Sequence, residues 1–358
     1  MKETVNQKGI IRPMHIVFAA DQAFVRQLLV ASGSAVYACR NGGGANPLVV
    51  HVLDCGIEEA TWNDYASRIA RLAERVHIKT EVIRHVIDMK QFENFSGWTN
   101  GSKAIWARLL IPKLLPDVDQ CVYSDCDMLF IANPVEMFES LKDPNVYIAG
   151  HHETMCEAGY PESEWCEQKC LPFDSSLHFC SGLLALDLDA FRRENITEKC
   201  FEFAARYPNA PFPDQTPLNS VCFDHRALLP DGWGIFMHES HSFNGRIKAI
   251  HMAGGSPWMK VCSSYNMAIR LRLTKLECAL WRDFESKVLG VAPSVAAEPS
   301  PRIRRKASLM LLATRITNLL HVKIGRARLQ RLVAAYDGRS TALVTARQDL
   351  FGDIDRWK

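Results

Sequence analysis

A chain of 358 residues with 47% hydrophobic and 23% charged residues has the composition of a globular protein with one large core or two modest ones. The formal net charge of +2 does not favour a nucleic-acid-binding protein. The first residues lack the apolar stretch of a signal peptide, and no apolar run of about 18 residues predicts a membrane-spanning helix. We therefore expect the twelve cysteines to be reduced thiols rather than a disulfide framework.

Strands and helices alternate after a polar leader at residues 1–13. The predicted strands are 14–20, 48–53, 79–87, 120–124, 146–150, 179–186 and 247–251, and the predicted helices are 22–40, 62–75, 103–115 and 188–207. The first two strands are apolar almost throughout, which is typical of a sheet covered on both faces. The alternation predicts an α/β fold with a mostly parallel central sheet.

The composition changes near the C-terminus. We expect a main domain at 14–290, a linker rich in Ala, Pro and Ser at 291–301, and a basic amphipathic segment at 302–358. Between residues 301 and 336 there are nine Lys or Arg and no acidic residue. Apolar residues recur there at helical spacing, namely Leu309, Leu312, Ile316, Leu320 and Ile324. This pattern favours an anionic membrane surface as the partner of 302–336, over a helical cap with a solvated basic face. A nucleic-acid arm is disfavoured because aromatic residues are not interleaved with the cations.

Two carboxylates one residue apart, Asp125 and Asp127, follow the strand at 120–124. Side chains in a strand alternate between faces, so both carboxylates should point the same way and share one hard cation. Ligands of parallel sheets bind outside the carboxyl ends of the strands. Asp21 follows the first strand, so three carboxylates should converge there if the two strands are neighbours.

Cys156, Cys166, Cys170 and Cys180 cluster near His151 and His152, which raises the possibility of a zinc site. Their intervals are wider than the paired spacing of zinc modules, so a loop with buried thiols is the favoured interpretation. The polar stretch 153–176 is long enough to predict a functional loop. Farther on, Asp214 is a candidate N-cap of a following helix.

Five ordered segments, 16–21, 102–109, 123–127, 179–184 and 251–254, resemble the family 8 retaining glycosyltransferases. The similarity covers residues 14–260 and is closest to the bacterial lipooligosaccharide galactosyl- and glucosyltransferases. It implies a single Rossmann-like nucleotide-sugar-binding domain of the GT-A type. It also implies a UDP-hexose donor, a metal ion (Mn²⁺, with Mg²⁺ as the alternative) and retention of the anomeric configuration.

The resemblance assigns roles to individual residues. Asp125, Asp127 and His251 would bind the metal, and Gln215 and Asp214 would act in catalysis. Donor-binding positions would be Ala19, Ala20, Asp21, Phe24, Arg108, Asp125, Cys126, Ser181, Gly182 and Gly254. Within this set, Asp21 would hold uridine, Phe24 would stack on uracil, and Arg108 would pair with the sugar or diphosphate.

The chain departs from the family pattern at three places. Cys180 replaces the usual asparagine before the Ser-Gly pair, and Ala23 replaces a usually polar residue. The lysine that normally follows the closing histidine is absent, and Lys248 or Lys260 would have to substitute for it.

The function expected from these residues is hexose transfer from UDP-galactose or UDP-glucose to an oligosaccharide or glycolipid acceptor, on the inner face of the cytoplasmic membrane. One alternative is a sugar-nucleotide nucleotidyltransferase, which usually has a Gly-rich phosphate loop where this chain has Ala19-Ala20-Asp21-Gln22. Another is a non-catalytic UDP-sugar-binding protein, which the absent lysine makes conceivable.

Overall fold

A computed structural model describes residues 13–42, 47–98, 101–153, 161–253, 256–319, 333 and 340–352. The described strands are β1 (Met14–Ala20), β2 (Leu48–Asp54), β3 (Thr80–Val86), β4 (Gln120–Ser124), β5 (Met128–Phe130), β6 (Ile148–His152), β7 (Phe179–Asp187), β8 (Arg226–Leu228), β9 (Ile235–Phe236) and β10 (Ala249–His251). The described α-helices are α1 (Val25–Ala38), α2 (Glu59–Arg75), α3 (Ile111–Leu114), α4 (Pro161–Gln168), α5 (Leu188–Arg193), α6 (Ile196–Arg206), α7 (Gln215–Val221), α8 (Tyr265–Leu273), α9 (Lys275–Asp283), α10 (Pro301–Leu319) and α11 (Thr341–Phe351).

Seven strands form the central sheet in the order β3-β2-β1-β4-β7-β6-β8. All of them run parallel except β7, which is antiparallel to its neighbours β4 and β6. The predicted α/β fold with a mostly parallel sheet is confirmed. Alternate residues of β1 enter the two hydrophobic clusters on opposite faces, with Ile16 and Phe18 in one and Val17 in the other. This two-sided burial is the reason for its continuous apolarity.

The strand order reverses between β1 and β4, which are parallel neighbours. Their carboxyl ends therefore lie side by side, as the convergence of the carboxylates requires. A second sheet of three strands, in the order β5-β10-β9, lies beyond this edge and was not predicted as a separate layer. Its strands have two or three residues each, too few to give a periodic signal.

Two predicted helices differ from the structure. The helix predicted at 188–207 is divided into α5 and α6, because Asn195 has a left-handed backbone with φ of 54°. Residues Ala104–Leu110 of the helix predicted at 103–115 form a 3-10 helix, and α3 is a single short turn. The strand predicted at 146–150 is shifted to 148–152, and the long polar stretch 153–176 contains α4.

A row of three imidazoles crosses the parallel strands at one edge. His15 Nδ1 lies 2.9 Å from His51 Nε2, and His51 Nδ1 lies 3.0 Å from His85 Nε2. Burial, followed by the neighbouring histidines, lowers the pKa of His51 to about 3. The central ring of this imidazole row is therefore neutral at physiological pH, donating one hydrogen bond and accepting another.

The C-terminal part packs against the main domain at two places. Ala307 and Leu311 of α10 face α8, and Ala342, Leu343 and Ala346 of α11 enter the core cluster around β1. The outer face of α10 exposes Leu309, Leu312 and Ile316, three residues of the predicted stripe. Leu320 and Ile324 lie outside the described residues. Within the described part of the chain, none of the helices combines the length and apolarity needed to cross a membrane.

Candidate functional site

Asp125 and Asp127 occupy the turn that connects the two sheets. The chain leaves the central sheet after Ser124 and enters the small sheet at Met128, so the two aspartates are not in one strand as predicted. Their side chains are 32% and 24% exposed, which leaves both carboxylates open to a ligand. The turn and the change of sheet, rather than strand alternation, therefore bring them together.

His251 reaches the same turn from β10. The antiparallel pairing of β10 with β5 places His251 opposite Met128, next to Asp127. Its Nε2 lies 3.2 Å from Asp127 Oδ1, and the Met252 amide donates to the Asp127 carbonyl at 2.8 Å. Ligand atoms of Asp125, Asp127 and His251 all lie within 4.8 Å of one another. We refer to these three residues as the acidic ligand group.

Several features of the acidic ligand group suit a divalent cation. His251 Nδ1 is a buried atom without a hydrogen-bond partner, and the buried Asp127 Oδ1 has only His251 Nε2 beside it. Gly182 provides the necessary space, since a Cβ there would lie 2.9 Å from His251 Cε1 and 3.2 Å from Asp125 Oδ2. Carboxylate oxygens with one imidazole are a donor set that Mn²⁺ accepts. The residues present therefore fit a bound cation.

The charges within the group are strongly coupled. Burial alone would raise the pKa of Asp127, but the adjacent His251 outweighs it and lowers that pKa below its ordinary value. Burial alone would lower the pKa of His251, but the adjacent Asp127 outweighs burial and raises that pKa above its ordinary value. Burial raises the pKa of Asp125, opposed by the charge of Arg108 and reinforced by that of Asp127. A divalent cation would relieve the repulsion between the two carboxylates.

Arg108 lies almost fully buried behind the acidic ligand group. Its Nη2 donates to Asp125 Oδ1 at 2.8 Å, and its Nη1 lies 3.0 Å from Asp214 Oδ2 and donates to the Ser181 carbonyl at 2.5 Å. Its guanidinium also lies over the ring of Tyr123, whose hydroxyl donates to Asp125 Oδ1 at 2.7 Å. Each guanidinium nitrogen thus has a partner within the protein, since Nε donates to a backbone carbonyl. This arrangement favours a positioning role for Arg108 over the predicted direct contact with the donor.

Asp214 and Gln215 are connected to the site by hydrogen bonds from Ser181. The Ser181 hydroxyl donates to Asp214 Oδ2 at 2.7 Å, and the Ser181 amide donates to Gln215 Oε1 at 3.3 Å. Asp214 stands at the predicted N-cap position of α7, but its side chain makes no capping hydrogen bond. Its carboxylate is instead held by Arg108 and Ser181.

A buried polar chain behind Gln215 was not predicted. Gln215 Nε2 donates to Glu162 Oε2 at 3.3 Å, and the same oxygen lies 2.8 Å from His178 Nε2. Asn219, one turn after Gln215, bonds both the amide and the carbonyl of Phe179 and so fixes α7 to β7. These partners come from α4, from β7 and from His178 just before β7, and no local motif in the sequence connects them.

The carboxyl end of β1 supplies the predicted nucleotide-binding residues. Asp21 Oδ1 accepts from the Ala23 amide at 3.0 Å, and Oδ2 lies 3.4 Å from the Ser102 hydroxyl. The thiol of Cys126 donates to the Ala19 carbonyl at 3.2 Å, which joins this edge to the acidic turn. The side chains of Cys126 and Ala20 are buried in the core, and Phe24 is partly buried against the same cluster.

Two predicted features follow His251. Gly254 lies outside the described residues. Of the two candidate substitutes for the absent lysine, Lys248 forms an ion pair with Glu136 at 2.9 Å, whereas Lys260 is exposed. Lys248 is therefore already paired within the protein, and the choice between the two lysines stays a prediction.

The described cysteines of the 156–180 set do not share a ligand group with one another. Cys166 is buried on α4, Cys170 is exposed, and Cys156 lies outside the described residues. Cys180, in contrast, offers its sulfur within 4.8 Å of ligand nitrogens of His151 and His251. We refer to His151, Cys180 and His251 as the thiol ligand group. His151 and Cys180 lie in the Cys- and His-rich stretch of the sequence, but no sequence pattern pairs either of them with His251.

The family model of glycosyl transferase family 8 matches residues 15–262, more than two thirds of the chain. The chain belongs to this glycosyltransferase family. General stress protein A of Bacillus subtilis (strain 168) is 26% identical over 229 residues, which cover 62% of this family 8 chain and 73% of that protein. The predicted family resemblance is confirmed.

Solved structures show the same fold. The crystal structure of galactosyltransferase LgtC in complex with donor and acceptor sugar analogues has a TM-score of 0.58 at 19% identity, covering 73% of this chain and 95% of that one. The apo form of the glycosyltransferase GlyE from Streptococcus pneumoniae TIGR4 has a TM-score of 0.51 at 17% identity, covering 79% and 65%. The Rossmann-like, GT-A type architecture predicted from the sequence is confirmed.

Proposed function

We propose that this family 8 chain is a metal-dependent retaining hexosyltransferase that uses UDP-galactose or UDP-glucose. The observation that carries the proposal is the acidic ligand group at the edge where β1 and β4 end. Asp21 follows β1 at this edge, within reach of a nucleotide whose diphosphate faces the acidic turn. Ligands of open α/β sheets bind at such a reversal of strand order.

In this proposal Asp125, Asp127 and His251 hold Mn²⁺, with Mg²⁺ as the alternative. The cation would neutralise the charge that develops on the UDP leaving group. Ala19 and Asp21 would bind uridine, with Phe24 against the uracil ring. Asp21 is suited to this because its side chain is only partly buried and each of its oxygens accepts one hydrogen bond within the protein, which leaves lone pairs for a ligand.

Arg108 would act as a positioning residue. Its guanidinium bonds Asp125 with one terminal nitrogen and Asp214 with the other. The proposed metal ligand Asp125 and the proposed catalytic carboxylate Asp214 are therefore held at a fixed separation. A planar guanidinium makes such divergent bonds with defined geometry, whereas a lysine ammonium does not.

Gln215 and Asp214 would stabilise positive charge on the sugar ring during transfer. Glutamine is a poor nucleophile, so a covalent intermediate on Gln215 is disfavoured. Both side chains are nearly buried and held by Ser181, which makes them preorganised electrostatic groups. We therefore favour front-face displacement, in which the departing diphosphate accepts the proton of the acceptor hydroxyl.

We propose a lipid-linked bacterial surface glycan as the acceptor, with the protein on the inner face of the cytoplasmic membrane. The exposed stripe of Leu309, Leu312 and Ile316 on α10 supports this, since five described cations of the same helix are also exposed: Arg302, Arg304, Arg305, Lys306 and Arg315. Cations near an anionic surface contribute about 1 kcal/mol each.

The proposal is tested by UDP release from a panel of UDP-sugars, with and without Mn²⁺. We expect release from one hexose donor that requires the metal and is abolished in Asp127→Asn. Asp64→Asn, an exposed carboxylate on α2 that pairs with Arg68, is the matched control and should behave as wild type. UDP binding without release in the presence of glycolipid acceptors would instead favour a non-catalytic binding protein. Formation of a sugar nucleotide from a sugar phosphate would favour the nucleotidyltransferase alternative.

A further inference from the structure

His251 belongs to two groups of ligand atoms that differ in chemistry. On one side it faces the oxygens of Asp127, and on the other it faces a nitrogen of His151 and the sulfur of Cys180. The register of β6 and β7 sets His151 directly opposite Cys180, after an irregularity between Gly150 and His151. The thiol ligand group thus combines three strands that are distant in sequence.

The thiol ligand group is built into the fold rather than scattered on the surface. His151 is 2% exposed, and its Nε2 has no hydrogen-bond partner. A buried ring nitrogen without a partner is unfavourable unless a ligand satisfies it. Phe236 packs against both imidazoles, edge-on to His151 at 5.0 Å and stacked on His251 at 4.9 Å. Gly234 leaves the space that His151 occupies, because a Cβ there would lie 2.4 Å from His151 Cγ.

We propose that His151, Cys180 and His251 form a second metal site that binds a thiophilic divalent transition ion such as Zn²⁺. Two imidazoles and a thiolate are a preferred donor set of zinc, whereas Mn²⁺ and Mg²⁺ prefer oxygen ligands. Three protein ligands leave a fourth position for water. Binding replaces the thiol proton of Cys180 by the metal, and the proton is released to solvent.

Occupation of this site competes with occupation of the acidic ligand group. A neutral imidazole has one nitrogen with a free lone pair, so His251 serves one ion at a time. Two divalent cations in neighbouring sites that share His251 would also repel each other. Zn²⁺ should therefore inhibit the Mn²⁺-dependent reaction, a consequence that rests on the proposed function, whereas the site itself does not.

The test uses Co²⁺ as a spectroscopic substitute for Zn²⁺ in the full-length protein. We expect a thiolate-to-cobalt charge-transfer band that Zn²⁺ abolishes by displacement. Cys180→Ser should remove the band, and His151→Gln should weaken Zn²⁺ binding about ten-fold or more, since loss of a ligand costs at least as much as loss of an outer partner. Cys170→Ser, at an exposed cysteine, and Asp127→Asn, in the acidic ligand group, should retain it.

A band that persists in folded Cys180→Ser, or Zn²⁺ affinity unchanged in both Cys180→Ser and His151→Gln, would overturn the inference. The two proposals fail separately. A band in a protein that releases no UDP from any donor would support the second site and count against the transferase. Metal-dependent release without a band, and without inhibition by Zn²⁺, would count against the second site alone.

Discussion

Gly182→Ala is the perturbation whose effect follows most directly from the geometry of the acidic ligand group. The φ of Gly182 is not in the left-handed region, so alanine is compatible with the backbone. The added Cβ would lie 2.9 Å from His251 Cε1, where ordinary contacts begin at 3.4 Å. The imidazole must therefore move by roughly 0.5 Å, which exceeds the tolerance of about 0.2 Å on metal-ligand distances.

We expect Gly182→Ala to weaken Mn²⁺ binding about 10- to 100-fold, the range seen when the surroundings of a metal ligand are disturbed. The free energy of unfolding should fall by about 1–3 kcal/mol, as is typical of an overpacked core. Mn²⁺ affinity is measured by electron paramagnetic resonance titration in the presence of UDP, and stability by urea unfolding.

Gly33→Ala is the matched control, because its Cβ would lie 3.0 Å from Leu289 Cδ2, away from the acidic ligand group. It should retain the Mn²⁺ affinity of the wild type, whatever its effect on stability. Mn²⁺ binding of Gly182→Ala within a factor of about two of wild type would refute the described arrangement of ligands, since that corresponds to less than about 0.5 kcal/mol.

Three other properties are predicted. Arg108→Lys should lower the turnover number about 100-fold with little change in the KM for the donor. The reason is that Asp125 and Asp214 lose the guanidinium that holds both of them, and a misplacement of about 1 Å can cost about 100-fold in rate. Steady-state UDP release measures both the turnover number and the KM. Since His51 is neutral in the folded protein and takes up a proton below about pH 6.5 when unfolded, His51 alone should lower the free energy of unfolding by about 2 kcal/mol from pH 8 to pH 5. His51→Asn should flatten this dependence in urea unfolding experiments. Leu309→Ser combined with Leu312→Ser should reduce sedimentation with anionic vesicles.

Each has a control. Tyr123→Phe removes one of the two donors to Asp125 Oδ1 and should have a smaller effect than Arg108→Lys; the reverse order would contradict the positioning role. His77→Asn, at an exposed residue with left-handed φ, should leave the pH dependence of stability unchanged. Val344→Ser, on the surface of α11, should not alter vesicle binding. If the Leu309→Ser/Leu312→Ser double variant bound anionic vesicles as well as Val344→Ser does, the proposed membrane-facing stripe would be wrong.

The central sheet was predictable because its strands have a strong and simple signal. Val50 and Val52 of β2 are buried on the face opposite to Leu53, so apolar residues occupy both faces of the strand. Strands covered on both sides must be apolar throughout, and sequence alone reports that. The division of the helix predicted at 188–207 was not predictable, since the left-handed backbone of Asn195 depends on its surroundings.

The metal-binding candidates were predictable for chemical rather than geometric reasons. The pairing of Asp125 with Asp127 is local, but the strand alternation invoked for it does not occur, because the two residues lie in a turn between sheets. That His251 belongs to the acidic ligand group was predicted only from the family resemblance. The second role of His251, with His151 and Cys180, required the register between β6 and β7, which no pattern in the sequence specifies.

The most direct test of the account is anomalous diffraction at the manganese absorption edge, from crystals soaked with Mn²⁺ and UDP. The proposed metal site predicts one strong peak between the carboxylates of Asp125 and Asp127 and the imidazole of His251, in contact with the UDP diphosphate. UDP bound at the end of β1 with no manganese peak at the acidic ligand group, or with the peak beside Cys180, would contradict it.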